Sequence, residues 1–193
     1  MLLRQFLLTG CTCAVLAAFP AFAAIQPHCC TPGRPTAASY KWNFQKEADG
    51  LFHKIQREAF DATNAAGRLQ AFNRDQNIAW QLQGEKLDQL KVDINRMGNQ
   101  VCRLEIIRST LAPWQRVTVN RMGVELRLLA DNDRDAILYV NRNQRGFWLP
   151  TYRMYVQNIY KETNGLLHSS GTAVEYANAR HEVRQLRTAI KQS

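Results

Sequence analysis

Apolar residues along this chain recur at alternating spacings of three and four. Phe44, Ala48, Leu51, Ile55, Glu58, Ala62, Ala65, Leu69 and Phe72 form one such row, with Glu58 its one charged member. Trp80, Gln83, Leu87, Leu90, Ile94, Met97, Val101, Leu104 and Leu111 form a second, in which Arg108 fills the missing slot. Val119, Met122, Leu126, Leu129, Asp133, Ala136 and Val140 form a third. This spacing is that of helices packed lengthwise through one stripe. A fourth helix runs through Tyr152, Tyr155, Val156, Ile159 and Leu166 to Val183, Leu186 and Ile190.

Punctuation sets the ends of these elements. Asn73 followed by Gln76 reads as a capping box opening the second helix. Pro113 suits the first turn of the third, where a missing N–H costs nothing. Gly146, after Arg142 and Arg145, reads as a stop signal with cations near the negative end of the helix dipole. Pro150 then opens the fourth helix, with "NGLLHSSG" (164–171) as its weak point, a kink or a short break. Helices over about 41–70, 74–111, 113–145 and 150–190 are predicted, rods of about 45–60 Å at the helical rise. Short connections make neighbours antiparallel, so the fold class is all-α: an up-down-up-down four-helix bundle over 40–193. Trp42 and Trp114 then fall near one end, Trp80 and Trp148 near the other. Cys102, beside Val101, reads as a buried inert thiol.

The residues before the bundle read as an address. "MLLRQFLLTGCTCAVLAAFPAFAA" has one cation, Arg4, an apolar run from Phe6 to Phe19, and the small-x-small motif Ala21-Phe22-Ala23. That is a secretory signal peptide over 1–23, too short in its apolar part to span a bilayer. A competing reading takes "LTGC" as a lipobox with Cys11 lipidated, but only ten residues precede Cys11. Cleavage at Ala23 makes the protein periplasmic or extracellular. Residues 24–39, with three prolines and a glycine, read as a flexible arm. It carries His28, Cys29 and Cys30, candidate soft-metal ligands. Three ligands in a row close poorly around an ion, so a vicinal disulfide or an intermolecular one is the plainer reading.

The chain is basic, with a formal net charge of +9. An exported basic protein meets anionic surfaces such as lipid headgroups or wall polymers. The cations are spread along the chain without a long block, which argues against nucleic acid. Catalytic chemistry is thin. None of His28, His53, His168 and His181 has a Glu three residues before it, as a di-iron site requires. "DNDRDA" (131–136) begins like a calcium loop but has Ala136 where Gly is needed and Arg142 where Glu belongs. Asp133 falls on the core row, where an Arg from another helix is the expected partner. No strand-turn-helix serine elbow or phosphate loop is present. "RGFWLPTY" places Phe147, Trp148 and Leu149 at the turn between helices three and four, above a cationic collar of Arg142 and Arg145. An apolar tip on such a collar suits an anionic membrane surface or a protein partner.

"LAPWQRVTVNRMGVELRLLADNDRDAILYVNRNQ" and "PTYRMYVQNIY" resemble a group of uncharacterised exported all-helical, four-helix-bundle-like proteins of soil bacteria, over about Trp80 to Val183. The resemblance implies helical architecture and export, and brings no activity, cofactor or site residue. The reading of the sequence is therefore a non-catalytic structural or interaction protein of the cell envelope, with no cofactor. The alternative is a sensory bundle that binds a small ligand or haem through a helical histidine such as His53 or His181.

Overall fold

The computed structural model describes residues 42–75, 78–144 and 149–192. These residues form four helices packed against one another and, among the described residues, no strand. Helix α1 runs over Phe44–Phe72, α2 over Trp80–Ile106, α3 over Pro113–Arg142 and α4 over Pro150–Gln192. A 3₁₀ turn, Arg108–Thr110, precedes α3. α1 and α3 each pack on both α2 and α4, so one apolar core lies between the four.

The rows do the packing, with shifts that physics explains. Every member of the third row, from Val119 to Val140, is buried. In α1 the buried stripe holds Phe52 and Ala59, with Leu51 and Glu58 only half-buried. A straight helix has 3.6 residues per turn, so a strict seven-residue row drifts round it. Glu58, at the margin, lies 3.6 Å from Arg96.

Three local expectations are corrected. Asn73 does not open α2. It caps the C-terminus of α1, its N–H donating to the Leu69 and Ala71 carbonyls, and α2 starts later at Trp80. The "NGLLHSSG" stretch does not break the helix: α4 is continuous through it. Its small residues make contacts instead. Ser170 Oγ donates to the Leu166 carbonyl, Ser169 Oγ donates to the Glu125 carboxylate at 2.9 Å, and a Cβ on Gly165 would stand 3.3 Å from that carboxylate. Cys102 is half-exposed and disulfide-bonded, not an inert core thiol; one position past Val101, it points away from the core. The other four cysteines lie outside the described residues.

Side-chain bonds tie the ends together. Trp42 Nε1 donates to Glu47 at 2.6 Å, and Arg103 of α2 donates to the same carboxylate at 2.6 Å. Gln115 of α3 donates to Asp49 of α1, and Trp114 packs edge-on to Tyr176 of α4. Trp42 and Trp114 thus share one end, as their spacing predicts.

Candidate functional site

Two places in the molecule carry chemistry that a plain apolar bundle does not need. One is a buried polar layer. Tyr152 of α4 is fully buried and donates to Gln83 Oε1 of α2 at 2.8 Å, while its ring stacks on Tyr139 of α3. Asp133 of α3 is also fully buried, and neither carboxylate oxygen has a hydrogen-bond partner among the described residues. The expected arginine partner is therefore corrected. Burial and the nearby Asp88 charge push the Asp133 carboxyl up to about 8, against a smaller opposing pull from Lys91. A carboxyl in that setting is neutral at neutral pH, which removes the cost an arginine would otherwise have to offset. Burial, with Asp133 second, also raises the Tyr152 phenol above its ordinary value.

The other place is the C-terminal part of α4. In the packed part of this helix, Tyr152, Val156, Ile159, Thr163, Leu166, Ser170, Ala173 and Ala177 form one row, and every member is buried. The same spacing carried onward gives Arg180, Arg184, Arg187 and Lys191, every one exposed. All residues from 178 to 192 are exposed, so α4 continues past the helices it packs on. Core spacing thus turns into a cationic row where the neighbouring helices stop. Val183, Leu186 and Ile190, read from the sequence as part of the fourth helix's apolar pattern, are 48%, 64% and 73% exposed. They are corrected to surface residues. Each lies one position before a member of the cationic row, about 100° round the helix from the stripe that faces the core.

Just before this segment, between the packed part of α4 and α3, lies an open groove of about 420 Å³, lined by Trp114, Val117, Thr118, Thr172, Ala173 and Tyr176. Arg180 lies over the Tyr176 ring at 5.9 Å, a cation–π distance. Among the described residues no three His, Cys, Asp or Glu side chains gather as metal ligands, and no helix is long and apolar enough to cross a membrane. His53, His168 and His181 are all exposed.

Compared with known proteins, the chain matches no protein-family model, no curated protein and no solved structure.

Of the residues singled out from the sequence, Arg142 is exposed at the end of α3 and Leu149 is exposed just before α4. Arg145, Phe147 and Trp148 lie outside the described residues, as do His28, Cys29, Cys30, Cys11 and the segments 1–23 and 24–39. The cationic row of α4 is present in the sequence, but the apolar spacing of Val183, Leu186 and Ile190 beside it masks the row. The available signal was the replacement of every row member after Ala177 by Lys or Arg.

Proposed function

We propose that this chain is an exported interaction protein of the cell envelope, without catalytic activity, in which an up-down-up-down bundle presents a cationic helix to an anionic surface. The observation that carries the reading is the row Arg180, Arg184, Arg187 and Lys191, wholly exposed and in register with the buried row of the same helix. Four cations on one helical face, with Glu182 the one acid between 178 and 192, make a strip that attracts phosphate or carboxylate groups. Each Lys or Arg near an anionic bilayer contributes about 1 kcal/mol. The basic balance of the whole chain and its leader-like first 23 residues support the same setting.

The test is co-sedimentation of the protein with vesicles containing one-third anionic phospholipid, against neutral vesicles. Binding to the anionic set should weaken steeply as salt is raised from low to physiological strength, because the Debye length shortens to about 8 Å. Arg180→Ser, Arg184→Ser and Arg187→Ser together should remove most of it. Salt-insensitive binding, or none, would overturn the reading.

A further inference from the structure

The segment beyond the bundle carries a second pattern, which shares Arg180 and Arg187 with the cationic row but does not rest on the surface-binding reading. We infer that residues 175–191 of α4 form a parallel two-stranded coiled coil with a second copy of this chain. Tyr176, Ala179, Val183, Leu186 and Ile190 follow the alternating three-four spacing of a heptad seam. In that frame Tyr176, Val183 and Ile190 take the a positions, and Ala179 and Leu186 take d. β-branched residues at a with leucine at d favour two parallel strands over higher orders. Val183 and Leu186, at the centre, are exposed, and the stripe they lie on is turned away from the chain's own core.

The charges beside this seam choose the occupant and its direction. Glu175 and Glu182 fall at the g positions, Arg180 and Arg187 at e. A parallel pair sets each g residue against the e residue five places on in the other strand. Glu175 then meets Arg180 of the second copy, and Glu182 meets Arg187 of the second copy, on both sides of the seam. All four contacts join opposite charges. An antiparallel pair centred on Val183 and Leu186 would instead set Arg180 against Arg187 of the second copy. A helix lying on an anionic bilayer would flank its apolar face with cations on both sides. Here one flank is glutamate. The seam is short, and Tyr176 already packs on Trp114 at its N-terminal edge, so the pair is a reversible one.

Sedimentation equilibrium of the full chain, over micromolar to hundreds of micromolar concentrations, tests this. The wild type should pass from monomer to dimer across that range. Leu186→Lys should raise the dissociation constant by at least about tenfold, a change of about 1.4 kcal/mol. Its far-ultraviolet circular dichroism and unfolding midpoint should match those of the wild-type monomer, since Leu186 lies outside the core. Glu182→Arg and Arg187→Glu should each weaken self-association, yet the two variants mixed should pair more tightly than either alone. That rescue is specific to the parallel register, because residue 182 faces 187 in no antiparallel one. A wild type that stays monomeric throughout would overturn the inference. So would a Leu186→Lys variant that still dimerises, or charge variants that fail to rescue each other. If the monomer instead binds anionic vesicles and Leu186→Lys abolishes that, the apolar row belongs to the bilayer and the coiled coil is rejected. Loss of vesicle binding with dimerisation intact would sink only the surface reading.

Discussion

Along α4, the row that begins at Tyr152 buries each member as far as Ala177, while its continuation from Arg180 to Lys191 exposes each member. Backbone geometry is the same in both stretches. What differs is whether neighbouring helices are present, and the side-chain chemistry follows that difference. Inside the bundle the row is uncharged, even where it is polar at Thr163 and Ser170, whose hydroxyls donate to carbonyls one turn back. Outside it the row is entirely cationic, which suits water and resists collapse onto the bundle end. Helical spacing therefore reports where a stripe lies on a helix, and the residue types on it report whether anything covers it.

The largest predicted effect sets two leucines of this one helix against each other. Leu166 is fully buried and Leu186 is 64% exposed. Leu166→Ala should cost about 2–5 kcal/mol of folding stability, because it removes burial and leaves a cavity. Leu186→Ala should change the monomer by no more than about 0.5 kcal/mol. Urea unfolding at low protein concentration measures both. Similar costs would mean that the outer stretch is packed after all.

Asp133 comes next, since its carboxyl is fully buried in the core. Its folded value is raised from 3.8 to about 8, so between those pH values the unfolded chain ionises while the folded chain holds its proton. Stability from this group is therefore complete below the unfolded value and falls as pH rises, by about 1.4 kcal/mol per unit, then levels off above the folded value. Asp133→Asn should flatten that slope and raise stability at pH 7 by roughly 1–4 kcal/mol. An unchanged slope in the variant, read from unfolding curves between pH 5 and 9, would mean that Asp133 is not the group responsible. A slope-free variant that is nevertheless less stable would mean that the buried carboxyl has found a partner.

How far the sequence carried this picture can be read residue by residue. The four helices and the third row from Val119 to Val140 were legible, because apolar burial along a helix leaves a strong periodic trace. Asp133 was correctly placed inside. Its missing arginine was not foreseen, since protonation is an alternative to pairing that leaves no mark in the residue pattern. Asn73 misled because the same residue type serves at either helix end, and only backbone geometry distinguishes the two. The projecting end of α4 escapes the pattern for a related reason. Val183, Leu186 and Ile190 have a core-like spacing, and spacing says nothing about how long the neighbouring helices are. The cationic row is thus legible in plain composition: the change from Ala177 to Arg180 is its signal.

Tyrosines offer a third contrast, smaller than the first two. Tyr152 is buried and its hydroxyl supplies the bond at Gln83 Oε1, while the Gln83 amide nitrogen is already without a partner among the described residues. Tyr152→Phe would leave both ends of that amide unsatisfied and should cost about 1–3 kcal/mol. Tyr176 is half-exposed, and Tyr176→Phe should keep the ring contact with Trp114 and leave stability almost unchanged. Thermal unfolding of the two variants separates these outcomes. A matching loss in both would place Tyr176 in the core and weaken its assignment to the seam.

The smallest effect lies at the end from which α4 departs. Glu47 accepts from Arg103 and from Trp42, and the Arg103 hydrogen bond holds its carboxyl below the usual 4.5 despite partial burial. Stability from this group is present above the unfolded value and is lost as pH falls through the lowered folded value, which is the opposite sense to Asp133. Arg103 is 44% exposed, so solvent screening limits the pair, and Glu47→Gln should cost only about 0.5–1 kcal/mol at neutral pH. The variant should also lose less stability than the wild type on acidification below the usual 4.5, because it has no carboxylate there to protonate. An identical acid limb for both proteins would remove Glu47 as a clamp between α1 and α2. The α4 projection would then start from an end secured mainly by Trp114, Tyr176 and the Gln115–Asp49 bond.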